Sequence, residues 1–313
     1  NCMTIIAFHH TEDDLICIAD GLISRGENRV IEQDKKIVLF NPVYKIPKVS
    51  MGRFNYFSLY NAGEFGLAYA GNYTLISTII KNFIERVTRK LVLNRNNNGS
   101  PAIYWRDDEG RGMREGRYTD EYNFSDSEII DVTVNFLANI LQEICMSACN
   151  DFAINSMSPP DVEFLIFGCD NPTHKNPNRA QVLLCKEYKE QQSVIARYSV
   201  LPWALILLGD FSVTPSALSL IESSEEYEKP DCHVESSDWD SECLASKDRN
   251  SVRLKREKTI KSEVLRIINN DTGTIGGSCT IATSGWTNKL ILKTIRKEGL
   301  LKEIDAVNQE LAP

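Results

Sequence analysis

The sequence predicts an α+β fold, a four-layer αββα sandwich in which helices cover the outer sides of two stacked β-sheets. Three observations lead to this prediction. Apolar runs of strand length open the chain, recur in its middle and return before its C-terminal end. Long stretches between them repeat apolar residues at the 3.6-residue spacing of a helix. Strands and helices in this order bury their apolar faces when they stack in layers.

The first two strands form a predicted β-hairpin. Residues 3–8 and 15–21 are apolar runs with a polar break between them. An apolar run, a polar turn and a second apolar run are typical of two antiparallel strands. The hairpin places the hydroxyl of Thr4 at the head of its first strand and the carboxylate of Asp20 at the foot of its second. Lys36 then opens a third apolar run.

Two long helices follow in the first half of the chain. A short strand at residues 66–71 comes first, and Asn72 or Thr74 is the predicted cap of a helix that ends near Arg89. The second helix is predicted to begin at the pattern Ser125-x-x-Glu128, which has the spacing of a capping box. Its apolar residues recur on one stripe, as expected of a helix that covers a sheet.

The second half of the chain is predicted to hold seven further elements. Short apolar runs bounded by Gly, Pro or Asn indicate its strands. The predicted elements are strands at residues 162–168, 180–185, 199–209, 279–283 and 286–292, a helix over 260–268, and a polar C-terminal helix that ends near Leu311.

Three polar stretches are predicted to be insertions in a single domain that spans residues 1–313. Residues 41–58 contain two prolines and a glycine and are expected to be irregular. Residues 93–123 are polar and charged and are expected to form a long loop. Residues 222–250 change from acidic to basic, which predicts a disordered or surface insertion.

The composition excludes several classes of function. The 313 residues carry a net charge of −8, so we expect no nucleic-acid partner. No apolar run reaches the length of about 20 residues that a membrane helix needs, so no membrane association is expected. Nine cysteines without framework spacing indicate a reducing, cytoplasmic environment. We expect no cofactor and no metal, because Cys145 and Cys149 have no histidine near them in sequence.

Thr4, Asp20 and Lys36 together suggest nucleophilic catalysis. A threonine hydroxyl is a poor nucleophile until a base takes its proton. The α-amino group of an N-terminal threonine, with an ordinary pKa of about 7.7–8.0, can be that base. A nearby lysine ammonium favours the developing alkoxide, and an aspartate paired with that lysine keeps it charged and aimed.

The spacing of these residues resembles that of the proteasome-type N-terminal-nucleophile (Ntn) hydrolases, which include proteasome β-subunits and the bacterial HslV and Anbu peptidases. Asp20 lies 16 positions after Thr4, and Lys36 lies 32 positions after it, as in that superfamily. The segments Ile18-Ala19-Asp20-Gly21 and Leu67-Ala68-Tyr69-Ala70-Gly71 are similar to the family's aspartate strand and pocket strand. The resemblance implies the Ntn-hydrolase fold and a threonine-type peptidase or amidohydrolase.

The resemblance also implies a pocket and partners. Ala68, Ala70 and Gly71 would line the substrate pocket, and backbone N–H groups near the last two would bind the oxyanion. The implied substrate is a peptide or another amide. Relatives assemble into rings or spirals, so a homo-oligomer is expected, and the resemblance leaves room for an ATPase partner.

Two later segments resemble supporting elements of the family's site. Asp271 and Thr274 resemble an Asp-x-x-Ser element, with threonine in place of serine. Asp210 stands where the family often has the serine of a Gly-Ser-Gly turn, and Ser212 could serve instead. A plain turn before a helix capped by Thr214 explains the same residues.

Three residues precede Thr4 and affect the predicted activity. With Asn1-Cys2-Met3 attached, the nitrogen of Thr4 belongs to a peptide bond, so this form is predicted to be inactive. We hypothesise that Met3 is the natural start and that its removal before a small residue exposes Thr4. Cys2 is a rival nucleophile, but its spacing to the aspartate and the lysine is two positions off.

Two hypotheses of different class follow from the sequence. The first is an N-terminal-threonine amidohydrolase that acts as a proteasome-like peptidase, and the same chemistry permits a non-peptide amide. The second is a catalytically silent Ntn-fold subunit that serves as a scaffold or sensor in an oligomeric assembly. Asp210, the insertions and the unexposed Thr4 favour the second hypothesis.

Overall fold

A computed structural model describes residues 4–11, 14–25, 28–31, 35–105, 123–156, 159–168, 179–189, 192–209, 239–270, 275–284 and 289–311. Within these residues the protein is a mixed α+β structure with several largely antiparallel sheets and four α-helices. The α+β class predicted from the sequence is confirmed.

Five antiparallel strands form the first sheet. In spatial order they are β14 (Leu205–Gly209), β1 (Ile5–His10), β2 (Leu15–Asp20), β15 (Cys279–Ser284) and β16 (Leu290–Ile295). β1 and β2 are the predicted hairpin, with Ile6 opposite Ala19 and His10 opposite Leu15. Both strands are buried along their whole length. This burial explains why residues 5–8 and 15–19 read as continuous apolar runs in the sequence. His9 and His10, which were predicted to lie in the polar break, are the last two buried residues of β1.

The second sheet also has five antiparallel strands. In spatial order they are β13 (Gln192–Ser199), β12 (Ala180–Lys189), β11 (Val162–Gly168), β8 (Phe65–Gly71) and β5 (Ile37–Phe40). The predicted pairing of β11 with β12 is confirmed. The predicted strand at residues 199–209 is wrong, because β13 ends at Ser199 and β14 begins at Leu205 in the other sheet.

A smaller sheet occupies two regions that were predicted to be loops. Its strands, in spatial order, are β10 (Pro101–Trp105), β9 (Leu91–Arg95), β6 (Val43–Ser50) and β7 (Arg53–Asn61). A separate two-stranded pair consists of β3 (Ile23–Arg25) and β4 (Asn28–Ile31). The prediction of irregular structure is therefore wrong for residues 41–58 and for 93–105, whereas residues 106–122 lie outside the described residues.

The turn between β6 and β7 explains the error. Met51 and Gly52 have φ angles of 53° and 68°, the left-handed conformation that a two-residue hairpin turn of type I′ requires at both positions. Pro47 lies within β6, but β6 pairs with β9 only at Tyr44 and Lys45. No other described strand pairs with this edge of β6 at Pro47, and an unpaired strand edge is where a proline is accepted.

The four helices of the described residues are α1 (Tyr73–Arg89), α2 (Val134–Ser156), α3 (Trp239–Asn270) and α4 (Leu300–Leu311). The predicted cap of α1 is confirmed, since the side chain of Asn72 accepts a hydrogen bond from the backbone N–H of Leu75 over 3.2 Å. From Trp239 onward the predicted insertion at residues 222–250 is helical, and residues 222–238 lie outside the described part. None of these helices is long and apolar enough to cross a membrane.

The predicted start of α2 is wrong. The capping box at residues 125–128 is present, but it begins only a 3-10 turn. The chain then becomes extended at Ile129, whose ψ is 130°. The cap of α2 is Thr133, whose Oγ1 accepts a hydrogen bond from the backbone N–H of Phe136 over 3.2 Å. The intervening isoleucines pack against the apolar core as extended chain.

Each of the two five-stranded sheets has apolar packing on both faces. In β1, Ile6 and Phe8 join a cluster shared with residues of the second sheet. Ile5 and Ala7, which alternate with them, join another cluster with residues of α3 and α4. β11 alternates in the same way between the shared cluster and a third one that includes α1 and α2.

Candidate active site

Three chain segments converge at one end of the two five-stranded sheets. Thr4 immediately precedes β1, Asp20 is the last residue of β2, and Lys36 immediately precedes β5. The hairpin brings the end of β2 beside the start of β1, so the backbone N–H of Ile5 donates to Asp20 Oδ1 over 3.1 Å. The carbonyl oxygen of Lys36 accepts from the N–H of Tyr69 in the second sheet. The three site residues are 1%, 0% and 3% exposed.

The Lys36 ammonium is held by three acceptors. It donates to Oγ1 of Thr4, to Oδ1 of Asp20 over 3.1 Å, and to the carbonyl oxygen of Leu22 over 2.5 Å. An ammonium has three N–H donors, so each of them has a partner. The group cannot turn away from the threonine hydroxyl without breaking one of these bonds.

The Asp20 carboxylate is hydrogen-bonded at both oxygens. Oδ1 accepts from Ile5 and Lys36, and Oδ2 accepts from the backbone N–H of Gly276 over 3.4 Å. Burial raises the pKa of Asp20, and the Lys36 ammonium and the two backbone N–H groups oppose that rise. These donors compensate the charge of a carboxylate that is 0% exposed.

The predicted pocket residues lie on β8, beside the strand that Lys36 opens. Ala68 is opposite Ile37, and both Ala68 and Ala70 are buried in the cluster between the two sheets. Gly71 has a φ of 113°, and a Cβ there would clash with the carbonyl oxygen of Asp161. Gly71 is thus required for the turn into α1, and the pocket role of all three residues stays a prediction.

Four predicted positions are not part of the described structure. Asp271 and Thr274, the predicted closing element, lie outside the described residues. Asp210 and its predicted substitute Ser212 lie outside them as well. Their supporting roles therefore stay predictions.

Glu163 is not among the residues predicted from the sequence, yet it binds Gly209, whose backbone lies against that of Thr4. The N–H of Gly209 donates to Glu163 Oε2 over 2.8 Å, and Glu163 also pairs with Lys186. Burial raises the pKa of Glu163, and Lys186 and the Gly209 N–H oppose the rise. The available signal was that Glu163 is the only charged residue in the run Val162–Gly168.

The described residues contain no group of three or more His, Cys, Asp and Glu side chains placed to hold a metal ion. Cys145 and Cys149 are buried among the apolar residues that α2 contributes to the core. They therefore behave as small apolar side chains. Among the described residues at this end of the sheets, Thr4, Lys36 and Asp20 are the polar groups joined by side-chain hydrogen bonds.

The chain is structurally similar to Anbu. A solved structure of Anbu from Hyphomicrobium sp. strain MC1 is 14% identical to it, with a TM-score of 0.44 and coverage of 98% of this chain and 96% of that chain. An Anbu mutant from the same strain, described as Gly-1, is 15% identical with a TM-score of 0.46 and the same coverage. No protein-family model matches the sequence, and no curated protein matches it.

Proposed function

We propose that this protein is an N-terminal-threonine amidohydrolase that cleaves peptides once residues 1–3 have been removed. The observation that carries the proposal is the Lys36 ammonium, which donates to Thr4 Oγ1 while it is paired with Asp20. All three groups are buried, and their electrostatic interactions are stronger there than in water. The spacing of the three residues, read from the sequence alone, supports the same assignment.

In the proposed mechanism Thr4 is both nucleophile and base. Its α-amino group takes the hydroxyl proton, Oγ1 bonds to the scissile carbonyl carbon, and the carbonyl oxygen becomes an oxyanion. Lys36 lowers the energy of negative charge on Oγ1 during this step, and Asp20 keeps Lys36 in place. The C–N bond then breaks, and the leaving amine takes the proton from the α-ammonium. The α-amino group of Thr4 then activates a water molecule, which hydrolyses the ester between Thr4 and the acyl group and restores the Thr4 hydroxyl.

Three finer assignments belong to the same proposal. The packing of each five-stranded sheet on both faces supports a four-layer αββα sandwich. Backbone N–H groups near Ala70 and Gly71 are the proposed oxyanion donors. We further propose a cytoplasmic homo-oligomer, in a ring or a spiral, with room for an ATPase partner. Many free, buried cysteines are consistent with a reducing compartment.

The experiment compares two forms of the chain that differ only at the N-terminus. In one form a fusion partner is cleaved off so that Thr4 is the first residue, and in the other residues 1–3 are kept. Each is treated with an electrophile directed at N-terminal threonine, and the modified residue is identified by mass spectrometry. We expect modification of Thr4 in the first form only, and none in its Thr4→Ala variant. A folded Thr4-first protein that is never modified would overturn the proposal.

The second candidate is a silent subunit with the same fold. Asp210, which stands where relatives often have serine, favours this candidate. A silent subunit would fold and assemble in the Thr4-first form without reacting with the electrophile or cleaving peptides. Size-exclusion chromatography of the same preparation, combined with the labelling result, therefore distinguishes the two candidates. A protein that assembles but is not modified at Thr4 is the silent subunit.

A further inference from the structure

A second polar bridge joins the two five-stranded sheets beside Thr4. Glu163 lies on β11 in the second sheet, and its Oε2 accepts a hydrogen bond from the N–H of Gly209 on β14 in the first sheet, over 2.8 Å. Its Oε1 pairs with the ammonium of Lys186 on β12. Glu163 is only 4% exposed. A single buried carboxylate thus connects strands of both sheets.

Gly209 lies directly against the backbone of Thr4. β14 pairs with β1, and Gly209 is opposite Ile5. The φ of Gly209 is 113°, and a Cβ at this position would clash with the carbonyl oxygen of Thr4. Because the two backbones approach so closely, any shift of Gly209 changes the position of Thr4.

We propose that Glu163 is a positioning residue for Thr4, a role that rests on the proposed function of Thr4 as the nucleophile. By accepting the N–H of Gly209, Glu163 holds the end of β14 against the Thr4 backbone. The position of the Thr4 backbone in turn sets where Oγ1 lies relative to the Lys36 ammonium. Glu163 acts through Gly209 and does not touch the reacting atoms.

The surroundings of Glu163 argue against a role in which its negative charge attracts a positively charged substrate. Lys186 neutralises its carboxylate, and the Glu163 side chain is almost fully buried. The side chain of Lys186 is 25% exposed, so its ammonium can turn to water when Glu163 is replaced. The function that remains is that of an acceptor at a fixed position. An amide oxygen at the same place meets that requirement, whereas an apolar group does not.

The test uses the Thr4-first protein and three variants. Glu163→Gln keeps an acceptor for Gly209, Glu163→Leu removes it, and Glu187→Leu on the same strand as Lys186 is the matched control, because the Glu187 side chain is 56% exposed. The rate of Thr4 modification is measured against electrophile concentration. We expect Glu163→Leu to lower the maximal rate by about tenfold or more at an unchanged half-saturating concentration. Glu163→Gln should stay within about threefold, and the control should react like the parent.

Hydrogen exchange of the peptide that contains residues 205–209 gives a readout that needs no activity. We expect faster exchange at Gly209 in Glu163→Leu, and parent-like exchange in the glutamine and control variants. If the parent protein does not react with the electrophile, the proposed function fails and exchange alone decides whether Glu163 holds Gly209.

Two results would overturn the positioning role. One is a folded Glu163→Leu protein that matches the parent in the rate of Thr4 modification or in hydrogen exchange at Gly209. The other is a Glu163→Gln protein whose maximal rate of Thr4 modification is as low as that of Glu163→Leu. Should Glu163→Leu fail to fold, Glu163→Leu combined with Lys186→Leu replaces it, since this pair puts no ammonium beside the new leucine. The same two criteria then apply to the double variant.

Discussion

Replacing Lys36 with methionine tests how much the buried ion pair between Lys36 and Asp20 contributes to the free energy of unfolding. Methionine retains much of the apolar stem but removes the ammonium, which leaves the fully buried carboxylate of Asp20 with only two backbone donors. Removing one partner of a buried pair costs about 3–5 kcal/mol, because the other charge is left uncompensated. We expect Lys36→Met to lower the free energy of unfolding at pH 7 by that amount.

The loss should depend on pH in a defined direction. Burial raises the pKa of Asp20 even with Lys36 present, and removing the ammonium raises it further. Between the unfolded pKa of about 3.9 and the raised folded pKa, the folded chain binds more protons than the unfolded chain. Its stability therefore falls as pH rises through this window. Relative to the parent, Lys36→Met should lose least at the acidic end and most at neutral pH.

A double variant separates lost charge balance from lost packing. Lys36→Met combined with Asp20→Asn keeps an acceptor oxygen for Ile5 and carries no charge, so it should recover most of the stability lost in Lys36→Met at pH 7. Urea unfolding followed by far-ultraviolet circular dichroism at pH 5 and pH 7 measures both effects. The reasoning is refuted if Lys36→Met unfolds at the same urea concentration as the parent at pH 7. A double variant no more stable than the single one refutes it equally.

Two further substitutions test the backbone near the site and the start of α2. A non-glycine residue in the left-handed conformation lowers the free energy of unfolding by about 1–2 kcal/mol. Gly209→Ala should lower it by more than that, because the added Cβ also clashes with the carbonyl oxygen of Thr4. Gly99→Ala, with a φ of 83° and open space around it, is the matched control, and equal losses in thermal unfolding would contradict the close approach. Thr133→Ala should cost about 1 kcal/mol as a lost helix cap, and Thr133→Ser should retain most of that stability. Equal unfolding midpoints for alanine and serine would remove Thr133 from the capping role.

The approach of Thr4 and Asp20 could be predicted because it depends on local pairing. In a hairpin the length of the connecting turn fixes the register of the two strands. That register places the last residue of β2 beside the first residue of β1. Polar side chains at the ends of otherwise apolar strands are thus brought together without any knowledge of distant packing. Lys36 does not follow from this pairing, because β5 belongs to the second sheet. Its place beside Thr4 was implied only by the resemblance in spacing.

The β6–β7 hairpin was not predictable from the usual signals. The commonest two-residue hairpin turns have asparagine, aspartate or glycine at the first position, whereas here Met51 adopts the left-handed conformation. Pro47 also argued against a strand, and only the short extent of the β6–β9 pairing makes it acceptable. Tertiary context overrode both local rules in this hairpin.

The outer parts of the site depend on contacts that sequence spacing does not determine. Gly276 donates to Asp20 across 256 positions, and Gly209 donates to Glu163 across 46. Alternation along β11 shows that Glu163 shares a face with Leu165 and Phe167, which pack between the sheets. It does not show which strand of the other sheet lies opposite Glu163. That information exists only once the two sheets are packed.

Two polar bridges near Thr4 restrain the position of one five-stranded sheet relative to the other. The cluster between the sheets is apolar, and apolar packing has no preferred direction, so it restrains sliding of one sheet over the other only through shape. Lys36 with Asp20, and Glu163 with Gly209, add directional bonds between the sheets at the end where Thr4 lies. Because Thr4 and Asp20 belong to the first sheet and Lys36 to the second, the distance from ammonium to hydroxyl depends on the relative position of the sheets. The bridges therefore help to fix the distance from the Lys36 ammonium to the Thr4 hydroxyl as well as the packing of the two sheets.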